Sequence, residues 1–314
     1  PVDKIEVIIA GGTWSNYSLE YQYACIRDVF YAANTFYDDE KRDRLSLAEE
    51  QKINQDNSVK IIGLSVETRP DCITKEEIER YIDYGVTKVQ IGIQSTHDKL
   101  LKKINRGCYQ KDTIKAIRLL KEAGMKIVAH YMPNLPGSNP ELDREMFETV
   151  IFDSRYQVDE WKIYPTSVIT NPDEGSDFTV IEKWYRDGKY VPYSMAELKE
   201  VLKYAKRNVK EWIRISRVFR DFPIDYISGG ADIPNLRQIL QNEMKEEAYS
   251  AEDLCDCIRC REVRDRNGNI EDAEIKVIEY QSSGCTEYYI KYESVKGDEK
   301  FLYGFIKLRL NKKS

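Results

Sequence analysis

Up to Glu247 the chain alternates short β-branched apolar runs with longer stretches in which apolar residues return every three or four positions. The short runs predict strands at 4–10, 60–66, 87–93, 126–132, 159–164 and 212–218, because a brief apolar run bounded by turn residues is what a buried strand requires. The longer stretches predict helices at 19–37, 75–84, 110–123, 140–152, 194–209 and 234–247. Their ends are punctuated. Thr74 followed by Glu77 has capping-box spacing, and Gly85 and Gly124 stand where a helix turns out through the left-handed region. Strand–helix alternation of this kind demands a parallel sheet, since parallel neighbours need a crossover and the helix supplies it. The strands read as near-continuous apolar runs with helices on a single outer layer, which predicts a parallel barrel or part-barrel, with a doubly wound sheet as the competing topology.

After Glu247 the rhythm changes. A cysteine-rich turn, DLCDCIRCREV, leads through the turn signal RNGN into the strand-like segments IKVIEYQSS, TEYYIKYES and FLYGFIKLRL, with no further helix predicted. The expected division is a part-barrel over 1–248, a cysteine-rich linker over 249–268 and a β module over 269–314. The last strand has no covering layer after it and the chain starts at Pro1, so the expectation is of an expressed or ordered part of a longer protein.

At 41% apolar and 32% charged residues, the 314-residue chain has the material for a core and lacks the bias of a disordered one. No apolar run approaches the roughly 20 residues that span a bilayer, and the first residues lack the pattern of a signal peptide. The 48 Lys and Arg against 54 Asp and Glu confine any nucleic-acid surface to a local stripe. Seven cysteines, three of them within 255–260, do not make a disulfide framework; reduced thiols and a cytoplasmic setting are expected.

In parallel α/β folds the working residues gather just beyond the strand C-termini. Those positions hold GGT at 11–13, ETRPD at 67–71, QS at 94–95 with NRG at 105–107, HYMPNLPG at 130–137, YPT at 164–166 and RDFP at 220–223. Gly11 and Gly12 let a ligand approach the backbone, while Glu67, Arg69 and Gln94 offer donors and acceptors to a small polar ligand. Singly each is an ordinary loop; together they predict a ligand site at the barrel mouth. Cys255, Cys257 and Cys260 have spacing suited to one tetrahedral zinc, which is favoured over an iron–sulfur cluster or free thiols, with the fourth ligand open among Cys285, Cys25, Cys72, Cys108, His97 or a residue elsewhere. From Lys199 to Arg220 basic residues outnumber acids; the helical lysines read as a solvated face, whereas Arg214, Arg217 and Arg220 suit phosphate contacts. His130 on a strand end serves a packed role or a ligand equally well.

Taken in order, VDKIEVIIAGGT, IGLSVETRPD, VQIGIQS, NRG, VAHYMPNLPG, WKIYPT, RISRVFRDFP, CIRCREV and SSGCTEYYIKYE resemble the catalytic-subunit family of the Elongator complex, with its stand-alone archaeal and bacterial relatives. The resemblance runs nearly end to end. It implies a TIM-type, radical-SAM-like partial barrel followed by a zinc turn and a truncated GNAT-type acetyltransferase module. It further implies an enzyme that modifies the wobble uridine of tRNA, building a carboxymethyl-type group at C5 from acetyl-CoA through S-adenosylmethionine radical chemistry. Gly11, Gly12 and Thr13 would lie by the methionine amino group of S-adenosylmethionine, with Glu67, Arg69 and Gln94 in the same pocket; Lys162 and Tyr164 would face the reaction chamber. Arg214, Arg217 and Arg220 would hold tRNA, and the three cysteines a structural zinc. The family's 4Fe-4S ligands lie upstream of the VDKIE stretch, and its acetyl-CoA loop follows FIKLRL, so neither is expected within this sequence, which is expected to bind tRNA without completing the chemistry. Possible company is a homodimer or other Elongator-type subunits, with neither membrane nor DNA. Two rival readings stand beside this one: a non-catalytic RNA-binding module, and another TIM-type enzyme acting on a small metabolite.

Overall fold

The structure, a computed structural model, describes residues 2–170, 179–219, 224–250 and 253–311. Its strands are β1 (Lys4–Ile9), β2 (Lys60–Thr68), β3 (Lys88–Gln94), β4 (Lys126–Tyr131), β5 (Glu160–Ile163), β6 (Ser167–Ile169), β7 (Arg214–Arg217), β8 (Ile227–Gly230), β9 (Glu274–Ser282), β10 (Cys285–Lys296) and β11 (Glu299–Leu310). Six form one sheet in the order β1-β2-β3-β4-β5-β7, every neighbour parallel. An order without reversal means that crossovers of one hand place all their helices on one face. This is a part-barrel, and it excludes the doubly wound alternative, whose order must reverse at a switch point.

The helices are α1 (Leu19–Asn34), α2 (Leu47–Asp56), α3 (Lys75–Asp83), α4 (Asp98–Lys103), α5 (Gln110–Glu122), α6 (Pro140–Phe152), α7 (Val180–Arg186), α8 (Met195–Asn208), α9 (Leu236–Glu247) and α10 (Ile258–Arg261). The core lies between these helices and the outer face of the sheet, where Val66, Ile91, Ala129, Trp161 and Ile215 are fully buried. β4 keeps the near-continuous apolar run that the sequence suggested, with Ile127, Val128 and Ala129 all buried, but β3 departs from it. KVQIGIQ of β3 alternates strictly, sending Val89, Ile91 and Ile93 to the helices and Gln90 and Gln94 to the other side.

Four helices depart from the expected set. α2, α4 and α7 are additional to it, and α10 forms within the cysteine turn, where no helix was predicted. α2 is short of apolar residues but carries a full capping box, Ser46 with Glu49. The box predicted at Thr74 is half made: Thr74 accepts from Glu77 N at 3.1 Å, but the Glu77 carboxylate turns to Arg80 instead of the Thr74 N–H. Gly85 and Gly124 do adopt φ of +75° and +74°.

β6 and β8 form a two-stranded antiparallel ribbon. The last three strands make a separate antiparallel sheet ordered β11-β10-β9, with β9 and β10 joined through Ser283 and Gly284, both at positive φ, as a tight primed hairpin turn requires. Its barrel-facing side is buried and charged: Glu287 binds Lys121 at 3.2 Å, Lys307 binds Asp159 at 2.9 Å, and Glu293 pairs with Arg261. Its outward side exposes Ile275, Val277, Ile306 and Leu308. Among the described residues no helix is long and apolar enough to cross a membrane.

Candidate functional site

Strand alternation that buries apolar residues under the helices leaves Ser65, Glu67, Gln90, His130 and Lys162 on the concave side of the sheet. These polar groups are connected. The Gln90 amide oxygen accepts from Lys162 Nζ and lies 3.1 Å from His130 Nε2, while Gln90 Nε2 donates to Ser65 Oγ at 3.1 Å. His130 Nδ1 faces Glu67 Oε1 at 3.6 Å, and the His130 ring stands edge-on to Tyr164, 5.4 Å between centroids. Burial lowers the Lys162 pKa, assisted by the Arg217 and Lys88 charges and opposed by Glu160 and Glu67. The concave face thus holds a desolvated amine beside an imidazole–carboxylate pair.

Beyond the C-terminal ends of β3, β4 and β5 opens a cavity of about 510 Å³. Arg69, Gln94, Asn105 and Arg106 line its polar side, and Leu135, Ile169, Val180 and Trp184 its apolar side. Gln94 and Asn105 take positive φ of 69° and 53° there. A Cβ at Gly92 would sit 2.5 Å from Arg106 Nη2, so glycine is what lets Arg106 reach across and donate to Gly92 O at 2.7 Å. Among the described residues three buried polar atoms on the wall meet no hydrogen-bond partner: Gln94 Oε1, Arg106 Nε and Thr166 Oγ1. Buried groups of this kind are costly unless something completes them, and their mix of donors and acceptors fits the amino, carboxylate and ribose groups of S-adenosylmethionine.

Of the residues singled out in the sequence, Arg69, Gln94 and Tyr164 are in the cavity wall. Glu67 and Lys162 belong to the adjoining network. Gly11, Gly12 and Thr13 end β1 on the same edge of the sheet without entering the wall; both glycines are exposed, at φ of 90° and 64°. The sequence reading passed over Gln90 and Trp184, while Arg106 and Thr166 stood in its strand-end segments NRG and YPT without being singled out. Gln90 was legible as the polar residue inside an alternating strand. Trp184 was not, because α7 stands outside the barrel rhythm.

Cys255, Cys257 and Cys260 place their Sγ atoms within 4.8 Å of one another, a donor set that fits a thiolate-bound zinc. Burial raises the Cys257 pKa, but hydrogen bonds from Cys255 and Cys260 and the charges of Lys206 and Arg237 carry it well below the usual thiol value. Lys206 Nζ, Arg237 Nη1 and Gln241 Nε2 all point at Cys260 Sγ, at 3.9, 3.8 and 3.5 Å. None of the proposed fourth ligands Cys285, Cys25, Cys72, Cys108 and His97 joins this group. His97 instead has Nε2 2.8 Å from Leu142 O, starting α4. Among the described residues no second cysteine group exists.

The basic run divides. Lys199 and Lys203 pair with Glu243 and Glu247 of α9, each at 2.6 Å, and Arg207 pairs with Glu247 at 2.7 Å. Those cations form an interhelical ladder, while Lys206 is buried against the cysteines. Arg214 pairs with Glu262, Arg217 is exposed opposite Lys162 in the sheet, and Arg220 lies outside the described residues.

Comparison with known proteins is consistent with this geometry. Residues 18–150 match the Radical SAM superfamily and residues 158–246 the Radical_SAM C-terminal domain. The chain is 38% identical to the tRNA uridine(34) acetyltransferase of Methanocaldococcus infernus over 98% of its length and 55% of that protein. It is 31% identical to Elongator complex protein 3 of Homo sapiens over 98% of its length and 54% of that protein. The chain thus spans little more than half the length of these curated relatives. The solved structure of archaeal Methanocaldococcus infernus Elp3 with N-terminus deletion (1-46) superposes with a TM-score of 0.87 at 36% identity, covering 98% of this chain and 70% of that one. A parallel part-barrel with a polar concave face, followed by a cysteine turn and an antiparallel sheet, is what such kinship entails, and the chain belongs to the Elp3 family of radical SAM proteins.

Proposed function

We propose that the protein modifies the wobble uridine of tRNA in the cytoplasm, using S-adenosylmethionine radical chemistry and acetyl-CoA to build a carboxymethyl-type group at C5. The observation that carries this reading is the cavity at the strand ends, whose buried Gln94 Oε1, Arg106 Nε and Thr166 Oγ1 await a polar ligand. The relatives named tRNA uridine(34) acetyltransferase supply the reaction class.

In this reading Gln94, Arg69 and Glu67, with Gly11, Gly12 and Thr13 at the neighbouring strand end, hold S-adenosylmethionine, which when bound supplies the radical chemistry. Lys162 and Tyr164 face the substrate. The desolvated Lys162 amine is suited to moving a proton or steadying negative charge, and Tyr164 borders the apolar wall that keeps water out. A uridine reaches such a recess only unstacked from its neighbours. Arg214, Arg217 and Arg220 contribute to holding the tRNA backbone. The three cysteines hold a structural zinc between the part-barrel (1–248, with the linker at 249–268) and the strands of a GNAT-type unit (269–314). The exposed apolar side of β9–β11 supports reading those strands as one layer of a larger unit. All seven cysteines are unbridged, as a reducing compartment requires.

The test is calorimetric titration of S-adenosylmethionine and of tRNA into the whole protein and its Glu67→Ala and Gln94→Ala variants. Each variant is expected to lose about tenfold in S-adenosylmethionine affinity, the worth of one buried hydrogen bond, and to keep its tRNA affinity. Unchanged S-adenosylmethionine binding in both would remove the ligand from this cavity.

A further inference from the structure

Where the C-terminal sheet meets the N-terminal ends of the barrel strands, three cations and two carboxylates are largely buried together. Lys121 comes from α5, Asp159 directly precedes β5, Glu287 is in β10, and Lys307 and Arg309 are in β11. The carboxylates are well supplied with donors. Asp159 accepts from Lys307 and from Ile127 N, each at 2.9 Å, and from Lys121 at 3.4 Å. Glu287 accepts from Tyr280 Oη at 2.6 Å, from Arg309 Nη1 at 2.8 Å and from Lys121 at 3.2 Å. The cations are not so well supplied with acceptors. Among the described residues Lys307 Nζ meets Asp159 alone, although an ammonium carries three donors, and the buried Arg309 Nη2 meets no acceptor. These groups open onto a cavity of about 350 Å³, to which Met125, Phe305 and Leu308 add apolar surface and Lys126 a further cation on the exposed rim.

We propose that this cavity binds a small phosphate-bearing molecule, held by Lys121, Lys307 and Arg309 with Lys126 at the entrance. A seam of ion pairs fastening the second sheet to the barrel accounts for Lys121 with Glu287 and for Lys307 with Asp159. It leaves the Arg309 Nη2 donor and the open volume unexplained.

The donor count decides what kind of ligand fits. Buried donors without acceptors are costly, and a wall with cations in excess repels a metal ion. A phosphate offers several oxygens, each an acceptor, and the guanidinium fork matches them in pairs. The charge balance agrees. Burial, with the charge of Lys121 adding to it, holds the Lys307 pKa below its usual value despite Asp159 and Glu287, as for an amine short of negative charge. The volume and the apolar residues leave room for a carbon body beside the phosphate. Lys126 begins β4 and Asp159 precedes β5, whereas the cavity of the candidate site lies beyond the C-terminal ends of the same strands. The ligand is therefore no reactant. It bridges α5 and β5 to β10 and β11, and this site stands whether or not the tRNA reading does.

The test is calorimetric titration of inorganic phosphate and of phenyl phosphate into the whole protein, with ionic strength held constant by sodium chloride. The unaltered protein is expected to bind one equivalent saturably. Lys307→Gln and Arg309→Gln should each weaken binding about tenfold, the worth of a hydrogen bond between charged groups. Lys126→Glu, a reversal on the exposed rim that leaves the seam intact, should weaken it about fivefold, and Lys199→Gln on the α8–α9 ladder should change nothing. Phenyl phosphate binding more tightly assigns the site to a phosphate ester lying on Phe305 and Leu308; equal or weaker binding assigns it to free phosphate. Absence of saturable binding by the unaltered protein, or an affinity unchanged in Lys126→Glu, would overturn the site. Displacement of phosphate by tRNA would also overturn it, by making these cations part of an RNA surface.

Discussion

Lys162 and His130 meet at one acceptor, the side-chain oxygen of Gln90. An ammonium only donates, so the Gln90 amide is oriented with its oxygen toward Lys162 and its nitrogen toward Ser65 Oγ. The same oxygen then requires the hydrogen of His130 to be on Nε2, which turns Nδ1 toward Glu67. One neutral side chain, itself buried, meets both the amine and the ring.

This makes the titration of Lys162 depend on Gln90. Burial already lowers the Lys162 pKa; removing the accepting oxygen removes a contact that favours the charged form, so Gln90→Ala should lower it further, and Gln90→Glu should raise it. The pH dependence of Lys162 acylation by a small reagent, followed by peptide mass spectrometry, reads the midpoint. Three coincident midpoints would show that Gln90 has no hold on the amine.

The part-barrel was legible because its cause is local: apolar runs of strand length separated by helical repeats, with Gly85 and Gly124 ending helices where they were expected. Pro140–Phe152 even forms over the predicted range, started by Asn139 accepting from Leu142 N. What escaped the sequence reading depends on distant partners. α7 brings Trp184 to the cavity, and no periodicity announces which wall a short helix joins. The lysines of α8 look like a solvated basic face until α9 is laid beside them with Glu243 and Glu247. Within the candidate site, Arg69, Gln94 and Tyr164 were identified by standing at strand ends, with Thr166 in one of the same segments, whereas Gln90 matters through the network it completes.

The cysteine turn predicts a metal content. The whole protein should carry about one zinc at Cys255, Cys257 and Cys260, and Cys257→Ser should lose it, because Cys257 is fully buried and its thiol is held well below the usual value. Structural zinc contributes to folding directly, so the variant should also melt at a lower temperature, while Cys285→Ser, away from the trio, should keep its metal. Elemental analysis finding equal zinc in Cys257→Ser and the unaltered protein would defeat the assignment.

Acid should expose a weakness near α2. Glu50 is buried and accepts from Arg42 at 2.7 and 2.6 Å, from Leu45 N at 3.0 Å and from Asn34 at 2.8 Å. Hydrogen bonding to Arg42, working against burial, lowers its pKa from 4.5 to about 2. A carboxyl lowered on folding stabilises the protein above its ordinary pKa, and that contribution fades as pH falls from 4.5 toward 2. Allowing for solvent around the partly exposed Arg42, the contribution is about 2 kcal/mol. Glu50→Gln should remove it at neutral pH and flatten this part of the acid limb of a denaturation series. Parallel acid limbs in the two proteins would show that Glu50 carries no such linkage.

Docking of the C-terminal sheet onto the barrel should depend on Trp212. Its ring stacks on Tyr280 with centroids 4.0 Å apart and planes at 10°, and its Nε1 donates to Gln157 Oε1 at 3.1 Å. The same junction carries an apolar cluster of Ile258, Tyr280, Tyr289 and Leu302, against which Trp212 packs, and ion pairs such as Lys121 with Glu287 and Arg261 with Glu293. Buried ion pairs recover little beyond their own desolvation, so the clear net gain lies in this cluster and the stack that extends it. Trp212→Ala removes both the stack and the hydrogen bond and should cost about 3 kcal/mol. The loss should be local: amide exchange in β9 and β10 should accelerate while β4 and β3, two and three strands from β7 in the sheet, stay protected. Trp212→Phe, which keeps the ring and loses only the Nε1 donor, should recover most of the protection. Equal acceleration throughout the barrel would mean that Trp212 supports the fold as a whole and does not act as the fastening of the second sheet.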